Sequence, residues 1–244
     1  MISICVTTYN GEKYIRQQLD SILTQLQPDD EIIVSDDGST DDTLAQIAAL
    51  NDSRIKIYKH SSELIPYNGV FGTLYRINRN MNNALKYAKG DYIFLADQDD
   101  VWLPNKVSRT IQELQNADCV VHNCVVVDKN LNVLSESFFD YIRPSEALVG
   151  NLIRSSFMGC CMAFTRRLYL TVYPIPELPI EHDTWIGLCA LKKHTLRVVD
   201  DKLILYRRHG FNVSCCGEGS KNSFWVKVKR RFYMIRAYCK VQTL

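Results

Sequence analysis

Three groups of side chains in this sequence have the types and spacing of chemical sites. In Asp91-Tyr92-Ile93-Phe94-Leu95-Ala96-Asp97-Gln98-Asp99-Asp100-Val101-Trp102 an apolar run stops at three carboxylates within four positions. Like charges this close raise one another's pKa unless a cation or donors compensate, so the loop suits a cationic ligand. Oxygen ligands favour a hard divalent ion, Mg²⁺ or Mn²⁺, and few protein ligands leave coordination positions for a diphosphate. The plainer reading, an Asx turn capping the next helix, needs only one acid. Asp36-Asp37-Gly38-Ser39-Thr40-Asp41 reads either as a strand-to-helix turn, with Ser39 or Thr40 as the cap, or as carboxylates accepting hydrogen bonds from a base imide or ribose hydroxyl. Glu181-His182-Asp183 is either the acidic first turn of a helix or a general base for an attacking hydroxyl. His209, after Arg207-Arg208, suits a metal shell or a phosphate as well as an ordinary surface position, and the arginine forks suit phosphate.

Short apolar runs alternating with helical patterns must position these groups. Strands are expected at Ile2–Val6, Glu31–Ser35, Ile55–Tyr58, Tyr92–Leu95 and Cys119–His122, with helices at about 12–26, 41–50, 71–89 and 103–116. Leu103-Pro104 opens the last helix, because proline is tolerated in a first turn. Alternation of this kind predicts right-handed crossovers and a doubly wound, mostly parallel sheet with helices on both faces. Ligands of such sheets bind beyond the strands' carboxyl ends. There the chain places Thr7-Thr8-Tyr9-Asn10-Gly11, Asp36-Asp37-Gly38-Ser39 and Asp97-Gln98-Asp99-Asp100. Residues 195–208 read as two further strands around Asp200-Asp201.

At 244 residues the chain can bury a full-sized core, and 46% hydrophobic content is ordinary for a globular protein. Nine cysteines, including the pairs Cys160-Cys161 and Cys215-Cys216, show no CxxC spacing, so free thiols in a reducing cytosol are expected. Met1-Ile2-Ser3-Ile4-Cys5-Val6 is too short for a signal-peptide core, and no run approaches a bilayer span. The formal net charge of +2 conceals an asymmetry: residues 221–244 carry seven Lys/Arg and no acid, leaving −5 for the rest. Within them, Phe224-Trp225-Val226-Lys227-Val228-Lys229-Arg230-Arg231-Phe232-Tyr233 interleaves aromatics with cations. Such a stretch is a packed helix with a solvated basic face or a helix lying on an anionic membrane. With the charge confined to the tail and no recognised motif, nucleic acid is not an expected partner.

Taken together, Thr7-Thr8-Tyr9-Asn10-Gly11, Asp36-Asp37-Gly38-Ser39-Thr40-Asp41, Asn82-Asn83-Ala84 with Lys89-Gly90-Asp91, and Asp97-Gln98-Asp99-Asp100 resemble, in order and spacing, the family 2 glycosyltransferases of the GT-A fold over about residues 1–215. Ala96-Asp97-Gln98-Asp99-Asp100-Val101-Trp102 and Tyr206-Arg207-Arg208-His209-Gly210-Phe211-Asn212 are similar to the bacterial branch that builds surface polysaccharides, rhamnosyltransferases among them. The resemblance implies a nucleotide-binding half over 1–122 and an acceptor half over 123–216, and the stretch 217–244 beyond it reads from its own residues as a basic amphipathic helix. It implies that Thr7, Tyr9 and Asp37 hold the base, that Asp97 faces ribose or donor sugar, and that Asn82 and Arg207 join the nucleotide-sugar contacts. Asp99 matches the metal-binding acid of the DXD motif, His209 a further metal or diphosphate contact, and Asp183 the catalytic base. Asp100 is left to support the following helix. The usual Glu-Asp pair reads His182-Asp183 here, which leaves Glu181 as a competing base, and Arg208 stands where glutamine is common. The implied enzyme is inverting and dependent on Mg²⁺ or Mn²⁺. It would use a dTDP-rhamnose or UDP-hexose donor and a glycan or lipid-linked acceptor, in the cytoplasm or on the inner face of the plasma membrane.

Overall fold

Apolar residues alternate along the first strands so that one sheet acquires two dry faces. The computed structural model describes residues 1–60, 65–142, 145–153, 155–209 and 223–243. In chain order the elements are β1 (Ile2–Thr8), α1 (Ile15–Leu23), β2 (Glu31–Asp36), α2 (Thr43–Ala48), β3 (Ile55–Lys59), α3 (Val70–Tyr87), β4 (Tyr92–Ala96), β5 (Val101–Trp102) and α4 (Lys106–Leu114). There follow β6 (Cys119–Val127), β7 (Val133–Ser135), α5 (Leu148–Ile153), β8 (Met162–Thr165), α6 (Arg166–Val172), α7 (His182–Lys193), β9 (Leu196–Arg207) and α8 (Phe224–Thr243). Ile4, Val6, Ile32, Val34 and Phe94 point to one face, where Ile15, Leu19, Ile22, Ile47 and Val107 of α1, α2 and α4 cover them. Cys5, Ile33, Ile93 and Leu95 point to the other, against Met81, Leu85, Leu168, Trp185 and Ala237 of α3, α6, α7 and α8. Each such aliphatic side chain contributes roughly 1.5–3 kcal/mol on burial. This period of two, covered on both sides, is what reads in sequence as a continuous apolar run.

The chain has the expected α/β architecture of the GT-A fold, with helices on both faces of one nine-stranded sheet ordered β3-β2-β1-β4-β8-β6-β9-β5, and β7 on β6. β1 runs parallel to β2 and β4 with Thr8 opposite Asp36 and Val6 opposite Ala96, so the three carboxyl ends finish level. The sheet is more mixed than expected. β8 runs antiparallel between β4 and β6, and β5 antiparallel beside β9. A strand buried on both faces carries no sequence mark of its direction, so β8 was not legible as the piece that separates β4 from β6. The expected pair of strands over 195–208 is the single β9, in which His122 pairs Val199 and Asn123 pairs Lys202. Asp200 and Asp201 are the bulge, held by Asn123 Nδ2 at 2.7 Å and by Arg109 at 3.0 Å. The expected division at 122/123 falls inside β6, whose partners β7, β8 and β9 all belong to the later half. α4 begins at Lys106, so Pro104 lies in the turn before it. Among the described residues Cys5, Cys119, Cys124, Cys160, Cys161, Cys189 and Cys239 are free thiols, while Cys215 and Cys216 lie outside them.

Before β4 the chain passes through a tight contact at Gly90, where a Cβ would stand 2.5 Å from the Ser3 backbone nitrogen and 2.8 Å from Ile2 C. Backbone cannot yield as a side-chain tip can, and Gly90 N also donates to Ser3 Oγ at 2.7 Å. Gly90→Ala is therefore expected to destabilise the chain by about 1–3 kcal/mol or more, by strain rather than lost burial. Urea unfolding checks this; an unchanged midpoint would contradict the contact.

Candidate active site

Because β1, β2 and β4 end level, their loops meet and lock one another by hydrogen bonds. Asp37 N donates to Thr8 O at 2.9 Å, Asn10 N to Ser39 Oγ at 2.9 Å, and Thr40 N to Asn10 Oδ1 at 2.9 Å. Gln98, inside the acidic loop, accepts from Thr8 Oγ1 at 2.7 Å and Tyr9 N at 2.9 Å and donates to Tyr9 O at 3.1 Å. A Cβ at Gly11 would lie 2.3 Å from Gln98 Oε1, so a larger residue there would displace the Gln98 amide from these bonds. The three loops thus form one rigid rim.

Within that rim the two acids after β2 divide their tasks. Asp36 is buried and accepts from Gly38 N, Ser39 N and Ser39 Oγ, which makes it the acceptor that shapes the turn. The α2 start is satisfied by Asp41, which accepts from Thr43 N at 3.0 Å, so Ser39 and Thr40 do not cap that helix as expected. Asp37 pairs with His60 Nδ1 at 2.9 Å and Arg76 at 3.2 Å, and the Arg76 guanidinium lies 5.6 Å from the ring centre of Tyr9. Tyr9, 49% exposed, and Asp37 therefore share one cation at the edge of the rim. Thr7 lies half-buried at the end of β1, opposite Ser35.

The acidic loop holds its carboxylates in different surroundings. Asp99 meets His209 Nε2 at 2.6 Å, and the imidazole stacks on Tyr14 with centroids 5.1 Å apart. The two residues expected at a metal thus meet although 110 positions separate them. Asp97, Asp100 and Cys160 also present one ligand atom each within 4.8 Å of one another, a spacing that could hold a metal ion. Asp100 is fully buried, accepting from Arg207 N at 3.0 Å through Oδ1, with Oδ2 lacking a hydrogen-bond partner. It ties the β5–β9 seam and does not support the following helix, which starts six residues later at Lys106. Burial, then repulsion from Asp99 and Asp183, raises the Asp97 carboxyl to about 7, and burial likewise pushes Asp100 well up. Lys106, fully buried and pulled down by burial, is the neighbouring cation. It donates to Cys160 O at 2.7 Å and lies 4.1 Å from the Trp102 ring centre.

Asp183 lies in the first turn of α7, accepting from Gly159 N at 3.2 Å and Thr184 N at 2.5 Å. Burial raises its carboxyl to about 6. Beside it His182 is buried with neither ring nitrogen hydrogen-bonded, and burial lowers it to about 4, so the imidazole is neutral. Glu181, the competing acid, is engaged with Arg230 of α8.

Two expected contacts lie elsewhere. Arg207 is 3% exposed and directs its donors to Asp99 O, Lys129 O and Gln17 Oε1, while stacking on Tyr14 at 4.6 Å. It is a buried brace for the acidic loop. Asn82 donates to Ile175 O and accepts from Ile175 N, both at 2.8 Å, so its amide anchors the segment leading to α7. Gln98, Lys106, Tyr14 and Cys160 were not foreseen as members of the site. Gln98 alone carried a sequence signal, its position between the acids. Gly210, Phe211 and Asn212 lie outside the described residues.

Comparison with known proteins agrees with this geometry. The profile described as Glycosyl transferase family 2 matches residues 3–172. Escherichia coli WfgD, named a UDP-Glc:alpha-D-GlcNAc-diphosphoundecaprenol beta-1,3-glucosyltransferase, is 26% identical over 202 residues, covering 82% of this chain and 73% of its own. The Shigella flexneri dTDP-rhamnosyl transferase RfbG is 33% identical over 144 residues, covering 56% of this chain and 48% of its own. Glucosyl-3-phosphoglycerate synthase from Mycobacterium tuberculosis, solved with Mn²⁺, UDP and glucosyl-3-phosphoglycerate, superposes with a TM-score of 0.57 at 18% identity, over 99% of this chain and 79% of that one. The chain spans from 29% to 80% of the length of the curated relatives it matches. With the profile covering well over half of its residues, and the loops of β1, β2 and β4 joined as one rim, the chain belongs to family 2 of the glycosyl transferases.

Proposed function

We propose that this chain transfers a sugar, with inversion, from a nucleoside-diphosphate sugar to a hydroxyl of a glycan or lipid-linked acceptor in bacterial polysaccharide assembly. The observation that carries the reading is Asp183, a carboxylate held by Gly159 N and Thr184 N in the first turn of α7 and near enough to the acidic loop for its charge to act on Asp97. A base on one side and an acidic, cation-binding loop on the other match a single displacement at an anomeric carbon. Thr7, Tyr9 and Asp37 form the nucleotide end, with Asp97 toward ribose or sugar. Asp183 takes the proton from the acceptor hydroxyl, whose oxygen attacks the anomeric carbon opposite the departing diphosphate. The bond from the acceptor oxygen to the anomeric carbon forms as the bond from that carbon to the diphosphate oxygen breaks, and the nucleoside diphosphate leaves with the electron pair.

The donor set fits a hard or borderline divalent ion, Mg²⁺ or Mn²⁺. Asp99 and His209 would hold it, beside the ligand-spaced Asp97, Asp100 and Cys160. When bound, such an ion stabilises charge on the leaving diphosphate. The printed names of WfgD and RfbG, with UDP-glucose and dTDP-rhamnose donors, support a UDP-hexose or dTDP-rhamnose substrate. A mass-spectrometric screen of nucleotide sugars for divalent-ion-dependent release of the nucleoside diphosphate tests the reading. Release from none of them, with the chain folded, would overturn it.

Glu181 serves as the backbone cap of α7 and as the partner of Arg230. Glu181→Gln should accordingly leave kcat within about threefold. A loss comparable to that of a base would transfer the role from Asp183 to Glu181.

A further inference from the structure

α8 carries two apolar faces, and the fold covers only one of them. Met234, Ala237 and Val241 are buried in the core, and contacts of Arg230 with Glu181 and Arg231 with Leu152 O fix the helix's rotation. On the opposite side Trp225, Val228, Phe232 and Ile235 follow one another at three- and four-residue steps, which makes a stripe on one helix face. All four are exposed, Trp225 by 71% and Phe232 by 61%. At 3.6 residues per turn, Lys227 and Arg231 flank this stripe on one side and Lys229, Arg236 and Lys240 on the other. No acid occurs anywhere in residues 221–244. Among the described residues no helix is long and apolar enough to cross a membrane.

We propose that this outer face of α8 is an interfacial surface for an anionic lipid bilayer. Trp225, Val228 and Phe232 enter the boundary between headgroups and acyl chains, and the flanking Lys/Arg meet the lipid phosphates. Charge selects this occupant. A second copy would bring two all-basic faces together, whereas an anionic bilayer supplies both the counter-charge and the apolar layer that the stripe lacks. Behind that surface, on the inner side of α8, Arg230 holds Glu181 at the start of α7, two residues before Asp183. The lipid surface does not depend on the transfer reaction, and its test does not use that reaction.

Trp102 and Trp185 are 3% and 2% exposed, so a change in tryptophan emission reports Trp225. The full chain is mixed with vesicles of phosphatidylcholine alone or with roughly one-third phosphatidylglycerol. Binding is followed by co-sedimentation and emission. We expect a blue shift, quenching by spin-labelled lipid, and binding at least about tenfold stronger to the anionic vesicles and weakened by salt. Trp225→Ser with Phe232→Ser should abolish insertion, and Lys229→Glu with Arg236→Glu should lower binding about tenfold or more, with thermal unfolding unchanged in both. Equal binding to neutral vesicles, or no binding, overturns the proposal. So does a concentration-dependent dimer that disappears in Trp225→Ser/Phe232→Ser, which would assign the stripe to a second copy.

Discussion

Asp183→Asn is expected to lower turnover by roughly 10²–10⁴, the usual contribution of a positioned general base. The substitution keeps size and one acceptor oxygen, so the hydrogen bonds from Gly159 N and Thr184 N can be retained in part and the start of α7 remains in place. The loss should fall on kcat, with donor binding changed by no more than about threefold, because among the described residues the hydrogen bonds of this carboxylate go to Gly159 N and Thr184 N and not to Thr7, Tyr9 or Asp37. Measuring nucleotide-sugar affinity and transfer on the same preparation separates the two. Full transfer by Asp183→Asn would remove the base assignment, and a parallel loss of affinity would point to misfolding instead.

The pH profile adds an independent check. A base must be ionised, and burial places the Asp183 carboxyl at about 6, so kcat should fall about tenfold per unit as pH drops below that value. For stability the sign is opposite. A carboxyl raised from 3.8 to about 6 by folding lets the folded chain bind a proton that the unfolded chain releases in that window. Its contribution to stability therefore grows as pH falls from about 6 towards 4. Loss of activity at pH 5 with the fold retained is the expected combination, and the acid limb should vanish from whatever residual rate Asp183→Asn retains.

How much of this was legible without coordinates depends on how far each contact reaches along the chain. β1, β2 and β4 could be read from their apolar runs, and the meeting of their loops followed from parallel strands ending level. The bonds of Arg207, Asn82 and Asp100 were not legible because their partners include backbone atoms of remote segments: Lys129 O, Ile175 and the Arg207 amide. Backbone atoms carry no residue identity, so no motif announces them. Lys106 looks like a solvent-facing lysine in a first helical turn. It is buried only because the 159–161 turn, 54 residues later, supplies Cys160 O. The same turn supplies Gly159 N to Asp183, so one Gly-Cys-Cys sequence holds both Lys106 and Asp183.

Asp99→Asn should cost roughly 10²–10³ in turnover, comparable with removing one group that stabilises developing negative charge. It should also abolish the response to added Mg²⁺ or Mn²⁺. The amide is isosteric and can still meet His209, and the brace from Arg207 Nε to Asp99 is made to the backbone oxygen, which substitution leaves untouched. The fold is therefore expected to survive. His209→Ala should weaken ion affinity or activity by about 10–100-fold. Titrating the divalent ion against nucleoside-diphosphate release for each variant distinguishes the two donor sets. If Asp97, Asp100 and Cys160 hold the ion, Cys160→Ser would shift the preference from Mn²⁺ towards Mg²⁺, as loss of a soft ligand does. Asp99→Asn would then keep its metal response, and that outcome would end the assignment of Asp99 and His209.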